Sequence, residues 1–184
     1  MTDTTVQTNE PQADRPWLPP SYGIAKVEEG MLSWEHVNTL LGDALNYWIG
    51  TTTSDGRPHV RPVWGAWVDN TLYFDGSPET GWGRNISRDP RISVQVDAVD
   101  DVVMVDGVVV GVPKADEELV QKLLVSCRAK YMPKYNYDHI IEADGWRERG
   151  LFSLKPTKII AWNVANFGTS PTRWLFNETQ PEGK

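Results

Sequence analysis

Between Tyr47 and Asp75 the chain is made to reverse direction twice. Tyr47 to Thr53 is rich in β-branched and aromatic residues and stops at Ser54-Asp55-Gly56, a small polar cluster with a glycine that favours a tight turn. Pro58 to Val68 reads as a second strand, Asp69-Asn70 as a second turn and Thr71 to Asp75 as a third strand. Two hairpins in so short a stretch predict a meandering antiparallel sheet. No bulk property of the chain narrows the fold as far.

The flanking segments fill in the rest. Ser33 caps a predicted helix whose apolar positions, Val37, Leu40, Leu41, Ala44, Leu45 and Trp48, recur every three or four residues and so share one face. A short helix is expected from Thr80 to Arg88, stopped by Asp89-Pro90 because proline cannot continue it. Arg91 to Asp97 alternates Ile92, Val94 and Val96 with polar neighbours, as a half-buried strand does. Val102 to Val112 is nearly continuous valine, which predicts a strand buried on both faces, with Asp106-Gly107 marking a bulge. Ala115 to about Lys130 reads as a helix, with acids at its start, bases at its end, and Leu119, Leu123, Leu124 and Cys127 as its apolar stripe. Leu151 to Val164 reads as a last strand, bent or at an edge at Lys155-Pro156. Residues 1–20 are polar, then proline-rich, and are expected to be a flexible arm. Residues 177–184 are expected to be a flexible tail, leaving a single domain over 21–176. The expected fold is mainly β, a closed or nearly closed antiparallel barrel with helices packed outside.

Composition bounds the partners. Eighteen basic against 25 acidic residues leave a formal charge of −7, which argues against nucleic acid or an anionic membrane as the main partner. The N-terminal residues have neither the basic start nor the apolar core of a signal peptide, and one cysteine, Cys127, cannot form an internal disulfide. A cytoplasmic setting is expected. His36, His59 and His139 lie far apart, and there is no CxxC, HxH, HExxH, GxSxG, P-loop or GxGxxG pattern, so no metal is expected and no hydrolase, P-loop or Rossmann site is indicated. Cys127, on an apolar helix stripe, reads as a small buried hydrophobe rather than a nucleophile.

Gly56 to Arg91 holds Arg57, Arg61, Arg84, Arg88 and Arg91 within 36 positions. By the two-residue period of a strand, Arg57, His59 and Arg61 share one face. Ser77, Glu79 and Thr80 then lead into the short helix, whose first N–H groups with the Ser77 and Thr80 hydroxyls would make a small anion site. With Trp64, Tyr73, Phe74 and Trp82 close by in sequence, the pattern suits a ligand anionic at one end and flat at the other. It equally suits surface arginines balancing acids over an ordinary aromatic core.

The segments TTTSDGRPHVRPVWGAWVDNTLYF, GSPET, GRNISRDPRISV, DDVVMVDGVV, KYMPKYNYD and IIAWNVANFGTSPTRWLF, in that order, resemble the pyridoxamine 5′-phosphate oxidase-like superfamily of flavin and deazaflavin oxidoreductases. The resemblance implies a Greek-key split β-barrel, a homodimer with two cofactor sites at its interface, and FMN or the deazaflavin coenzyme factor 420 as cofactor. It also implies hydride transfer to a flat small-molecule substrate. Carried over by position, Arg61 would contact the phosphate or ring edge, and the Val63-Trp64 backbone would lie along the ring. Phe74, Asp75, Gly76 and Ser77 would flank the phosphate-bearing tail, with Thr80, Trp82, Arg84 and Asn85 beyond it. Val102 would approach the ring from the wall, and Arg173 and Trp174 would close the site. The chain departs from the family at Thr80-Gly81-Trp82, where many flavin-binding relatives carry an Arg-Lys pair that grips the FMN phosphate. Arg57, Arg61, Arg84 and Arg88 stand as partial replacements, and Trp82 as a surface for stacking. His59, Tyr73 and Tyr135 are candidate proton donors, none of them singled out by the residues. The alternative from another class is a non-catalytic binder or carrier of a flavin, deazaflavin or haem.

Overall fold

The computed structural model describes residues 10–111 and 114–176. In chain order the elements are β1 (Gln12–Asp14), α1 (Trp34–Asp43), β2 (Tyr47–Thr52), β3 (Pro58–Val63), β4 (Gly65–Val68), β5 (Thr71–Phe74), α2 (Gly81–Arg88), β6 (Arg91–Asp97), β7 (Asp101–Val109), α3 (Glu117–Tyr135), α4 (Ala143–Glu148), β8 (Phe152–Asn163) and β9 (Thr172–Leu175). The sheet runs β1-β9-β8-β7-β6-β2-β3, with every pairing antiparallel. It curls because β8 also pairs with β5 through Phe152–Leu154, and β5 carries β4. The expected mainly-β barrel with outer helices is what forms.

Several local expectations change in the folded chain. The predicted strand over 58–68 is two strands, broken at Trp64: β3 pairs with β2, β4 with β5. Tyr131 holds the break, its hydroxyl accepting from the Gly65 amide and donating to the Leu45 carbonyl. Trp48, counted on the α1 stripe, belongs to β2 and points away from the core, because α1 ends at Asp43. α3 runs on to Tyr135 with Pro133 inside its last turn, and closes at Asn136 in the left-handed region. β7 buries Val103, Val105, Gly107 and Val109, while the alternate residues are half-exposed. The valine run is therefore covered on one face, not two. The bulge falls where the glycine predicts it: the β7–β8 register shifts between Asp106 and Gly107, and a Cβ on Gly107 would stand 2.4 Å from the Lys155 carbonyl oxygen. Lys155-Pro156 thus bends an interior strand at a bulge rather than marking an edge.

Within the stretch expected to be a flexible arm, Gln12–Asp14 pair with β9. Arg15 then donates to the carbonyl oxygens of Val27, Glu29, Thr169 and Pro171. Residues 1–9 of that arm, and the tail at 177–184, lie outside the described residues.

The barrel interior is filled by Tyr47, Ile49, Phe74, Val105, Leu154 and Trp174, among others. A second apolar cluster lies under α3, built from Val120, Leu123, Leu124, Cys127, Tyr131 and Trp146. No helix among the described residues is long and apolar enough to cross a membrane.

Candidate functional site

Strand register decides which arginines meet. Cross-strand partners share a face of a sheet, so the pairs Thr51–His59 and Ile49–Arg61 put His59 and Arg61 on the barrel side of β3. β3 is the last strand of its row, and beyond it that face opens toward α2. A cleft of about 460 Å³ results, walled by Asp55, Arg57 and His59 on one side and Arg84, Asn85 and Arg88 on the other. Arg57 donates to Asp55 over 2.7 Å, Arg84 to the Glu79 carbonyl and Arg88 to the Thr52 carbonyl. Each guanidinium carries five N–H donors in a fixed fork, so these bonds leave donors over for a ligand. The wall behind is tied together by buried Asn85, whose amide donates to Thr51 Oγ1 over 3.0 Å. That hydroxyl in turn stands 3.3 Å from His59 Nδ1. Arg61 lies further along the same face, exposed, with one donor on the Val60 carbonyl.

The loop from Asp75 to Thr80 separates this cleft from a larger cavity of about 580 Å³, which Asp75, Gly76 and Ser77 line opposite Glu142, Trp146 and Arg149. Asp75 accepts from the Trp146 indole over 3.3 Å. The Ser77 and Thr80 hydroxyls, expected to serve an anion, serve the loop itself. Ser77 Oγ accepts from the Glu79 amide, and Thr80 caps α2 by accepting from the Gly83 amide over 3.0 Å. Two buried polar atoms of the turn before α4, His139 Nδ1 and Glu142 Oε2, have no hydrogen-bond partner. Each such atom costs about 1–3 kcal/mol. The other Glu142 oxygen accepts from Tyr137, which pushes that phenol up to about 12.

The aromatic residues divide differently from the expectation. Trp82 is 9% exposed and lies in the core, with ring centroids 5.7 Å from Phe74 and 5.0 Å from Phe152. The loop crosses directly over it, and a Cβ on Gly76 would meet the indole at 2.6 Å. Trp82 and Phe74 therefore pack the barrel and offer no ring face to a ligand. Val63 and Trp174 are buried as well, the latter against Trp34. Of the other expected aromatics, Tyr73 is half-buried, Tyr135 is exposed, and Trp64 is 36% exposed. It lies nearly parallel to Tyr131 and Tyr135, 4.8 and 5.3 Å away, with Tyr137 edge-on. The Tyr131–Tyr135 pair is one helical turn apart, a spacing visible once α3 is allowed to run through Pro133. Ending the helix at Lys130 hides it.

Val102 and Arg173 are not brought to the cleft. Val102 pairs with Trp162 and Arg173 with Ile160, which places both on the outer face of the sheet, and Arg173 is held in an ion pair with Asp14. One chain therefore unites Arg84 and Asn85 with Arg57, His59 and Arg88, sets Asp75, Gly76, Ser77 and Thr80 in the adjoining loop, and leaves Val102 and Arg173 across the sheet. Arg57, His59 and Arg88 matter more to the cleft than the resemblance indicated. Their signal was the period of two along β3 and one turn of helix between Arg84 and Arg88. Among the described residues no three acidic, histidine or cysteine side chains converge as metal ligands.

A family model described as pyridoxamine 5′-phosphate oxidase matches residues 33–163, well over half of the chain. The crystal structure of conserved hypothetical protein Rv2991 from Mycobacterium tuberculosis is 18% identical with a TM-score of 0.59, over 87% of this chain and 99% of that one. A heme binding protein from Mycobacterium smegmatis is 16% identical with a TM-score of 0.51, over 74% of this chain and 60% of that one. Both likenesses are of fold. No curated protein sequence matches the chain.

Proposed function

This chain belongs to the pyridoxamine 5′-phosphate oxidase family, and we propose from that premise that it is a flavin- or deazaflavin-dependent oxidoreductase of the cytoplasm, acting as a homodimer on a flat small-molecule substrate. The observation that carries the reading is the cleft between β3 and α2. Three guanidinium groups, an imidazole and the amino end of α2 converge there, a donor set that fits a phosphate or carboxylate tail. The cations come from Arg57, Arg84 and Arg88, and Gly81 and Trp82 stand where relatives carry their Arg-Lys pair.

Bound there, the cofactor would supply hydride chemistry. The protein's part is placement. Arg57, Arg84, Arg88 and His59 hold the anionic end, Asp75–Ser77 lie along the tail, and Val63-Trp64 at the break between β3 and β4 guide the ring. The exposed edge of Trp64, backed by Tyr131 and Tyr135, gives a flat substrate an apolar surface and keeps water from it.

The outer sheet face supports the dimer. One row across it reads Pro62, Trp48, Gln95, Met104, Ile160 and Arg173. Val60, 50% exposed, and Trp48, 41% exposed, cluster with Pro62 at one end of the row, and Met104 and Ile160 follow beyond Gln95. Exposed apolar side chains grouped in this way favour an interaction site, and a second copy laid on them would bring Val102 and Arg173 to the partner's cofactor.

Titrating the purified chain with FMN and with factor 420 tests the reading. At least one should bind in the micromolar range or tighter. Arg84→Gln should weaken it about tenfold or more, the effect of one charge-assisted hydrogen bond at about 1.5–3 kcal/mol. Equal affinity in the variant would remove the cleft from the site. A carrier of flavin, deazaflavin or haem is the second reading, favoured by the loss of the cationic pair at Gly81-Trp82. Multiple turnovers of menadione by the reduced, loaded protein would exclude it.

A further inference from the structure

We propose that the cavity between the Asp75–Ser77 loop and α4 is a binding site for a small zwitterion, a molecule with an amine and a carboxylate at opposite ends of an apolar body. The site is separate from the basic cleft, and the proposal stands whether or not the cleft holds a cofactor.

Arg149 marks it. Among the described residues it is the one arginine whose guanidinium has neither a hydrogen-bond nor an ion-pair partner. Arg147, two residues earlier, shows the contrast, held by Glu117 and Asp144. Yet the free guanidinium has a defined seat. A Cβ on Gly145, one helical turn earlier, would stand 2.6 Å from Arg149 Nη2 and 3.4 Å from Cζ. The group therefore lies on bare backbone where only glycine leaves room, at the wall of the cavity of about 580 Å³. Its five N–H donors all remain for a guest. A carboxylate takes two of them at once in a parallel, charge-assisted pair.

The rest of the polar lining carries the opposite sign. Asp75 accepts from the Trp146 indole over 3.3 Å through Oδ2, and no protein group donates to its Oδ1. Glu142 accepts from Tyr137 through Oε1 and has no donor at Oε2. Both acids thus keep acceptor capacity, while Trp146, Leu151 and Phe152 supply apolar surface. A guest with only negative charge would face two carboxylates, and one with only positive charge would face the guanidinium. Like charges set together are costly, so this lining disfavours both. A zwitterion instead lays its ammonium against Asp75 and Glu142 and its carboxylate on Arg149. The volume falls within the roughly 300–1,000 Å³ of small-molecule pockets. The basic cleft, with three guanidinium groups against the one carboxylate of Asp55, selects a different guest, a multiply charged anion.

The probe is para-(aminomethyl)benzoate, a flat zwitterion, titrated into the full chain by calorimetry beside benzylamine and benzoate, its singly charged halves. The zwitterion should bind with a Kd in the millimolar range or tighter, and each half about tenfold or more weaker. Arg149→Gln should weaken the zwitterion about tenfold or more, the effect of one lost charge-assisted contact. Gly145→Ala keeps every charge and suits a helix, but its methyl takes the seat of the guanidinium, so it should weaken the zwitterion by a similar factor. Halves that bind as well as the whole, or variants that bind it as the unaltered chain does, would overturn the proposal. So would no binding up to about 10 mM. Arg149→Gln should leave the affinity for FMN or factor 420 unchanged, which keeps failure of the cavity distinct from failure of the cleft. A cofactor affinity that falls in Arg149→Gln and holds in Arg84→Gln would make the cavity the cofactor's own seat and overturn both readings.

Discussion

At the scale of single residues, burial decides between ligand contact and core. Trp82 stands where the family resemblance implies a lysine in many flavin-binding members, and sequence alone leaves it free to stack on a ligand or to pack. The fold settles this through Gly76, whose φ of 146° belongs to glycine and lets the loop lie flat on the indole. Trp82→Ala should destabilise the protein by about 3–5 kcal/mol, as for other large aromatic deletions in cores, measured by urea unfolding. A loss under about 1 kcal/mol would mean the ring is peripheral. Lys130 is the second such residue. The sequence marks it only as a base near the expected end of α3 and as the first residue of KYMPKYNYD. Its ammonium instead donates to the Ala44 carbonyl and the Tyr47 hydroxyl and lies over the Tyr47 and Tyr131 rings. Burial lowers its pKa from 10.5 to about 8. Between those two values the unfolded chain holds more protons than the native one, so stability rises with pH across that window. Burial also raises the Tyr47 and Tyr131 phenols, which stay protonated in the native state, so above about pH 10 the trend reverses. Between about pH 8 and 9.5 the unfolding free energy should rise in the unaltered protein and fall in Lys130→Met, where the Cys127 thiol, held protonated in the native state, is left to set the slope. Parallel slopes in the two would show that the lysine titrates normally.

At the scale of elements, period and turn chemistry were legible where they were local. The β2–β3 and β4–β5 hairpins, the α2 stop at Asp89-Pro90 and the bulge at Gly107 follow from a few neighbouring residues. The break at Trp64 does not, because it is imposed by Tyr131, 66 residues away from its Gly65 partner. The N-terminal clasp was hidden for the same reason. Its proline-rich composition speaks of an unstructured arm, whereas its order comes from one guanidinium meeting carbonyl groups from both ends of the chain. Arg15→Ala should leave the barrel folded and release the clasp. Hydrogen exchange of the β1 and β9 amides should accelerate by about tenfold or more, since several hydrogen bonds of about 1 kcal/mol each are lost together. Unchanged protection there would mean that the β1–β9 pairing and the Asp14–Arg173 ion pair hold the arm unaided.

At the scale of the whole molecule, the candidate site was half legible. The arginine face of β3 could be read from alternation, and its partners on α2 from helical spacing. What alternation could not show is that Val102 and Arg173 lie on the far side of the same sheet, since sheet order is set by pairings between distant segments. The valine run of β7 carries the same lesson. Its expected second covered face is the outer one, which a second copy would cover. Ile160→Glu, in the middle of that face, should convert a dimer into monomers in light scattering and weaken cofactor binding at the same time. A charged, still dimeric variant would place the contact elsewhere.

Cys127 closes this scale. It is the chain's one cysteine, and burial among apolar neighbours pushes its thiol up to about 12, so at neutral pH it is both screened from reagents and almost wholly un-ionised. The native protein is thus silent toward maleimides, and a cysteine installed at an exposed position such as Val125 or Arg61 would be its single labelling point. Spin labels placed there would give intersubunit distances, and fluorophores would report ligand arrival, without any thiol first having to be removed.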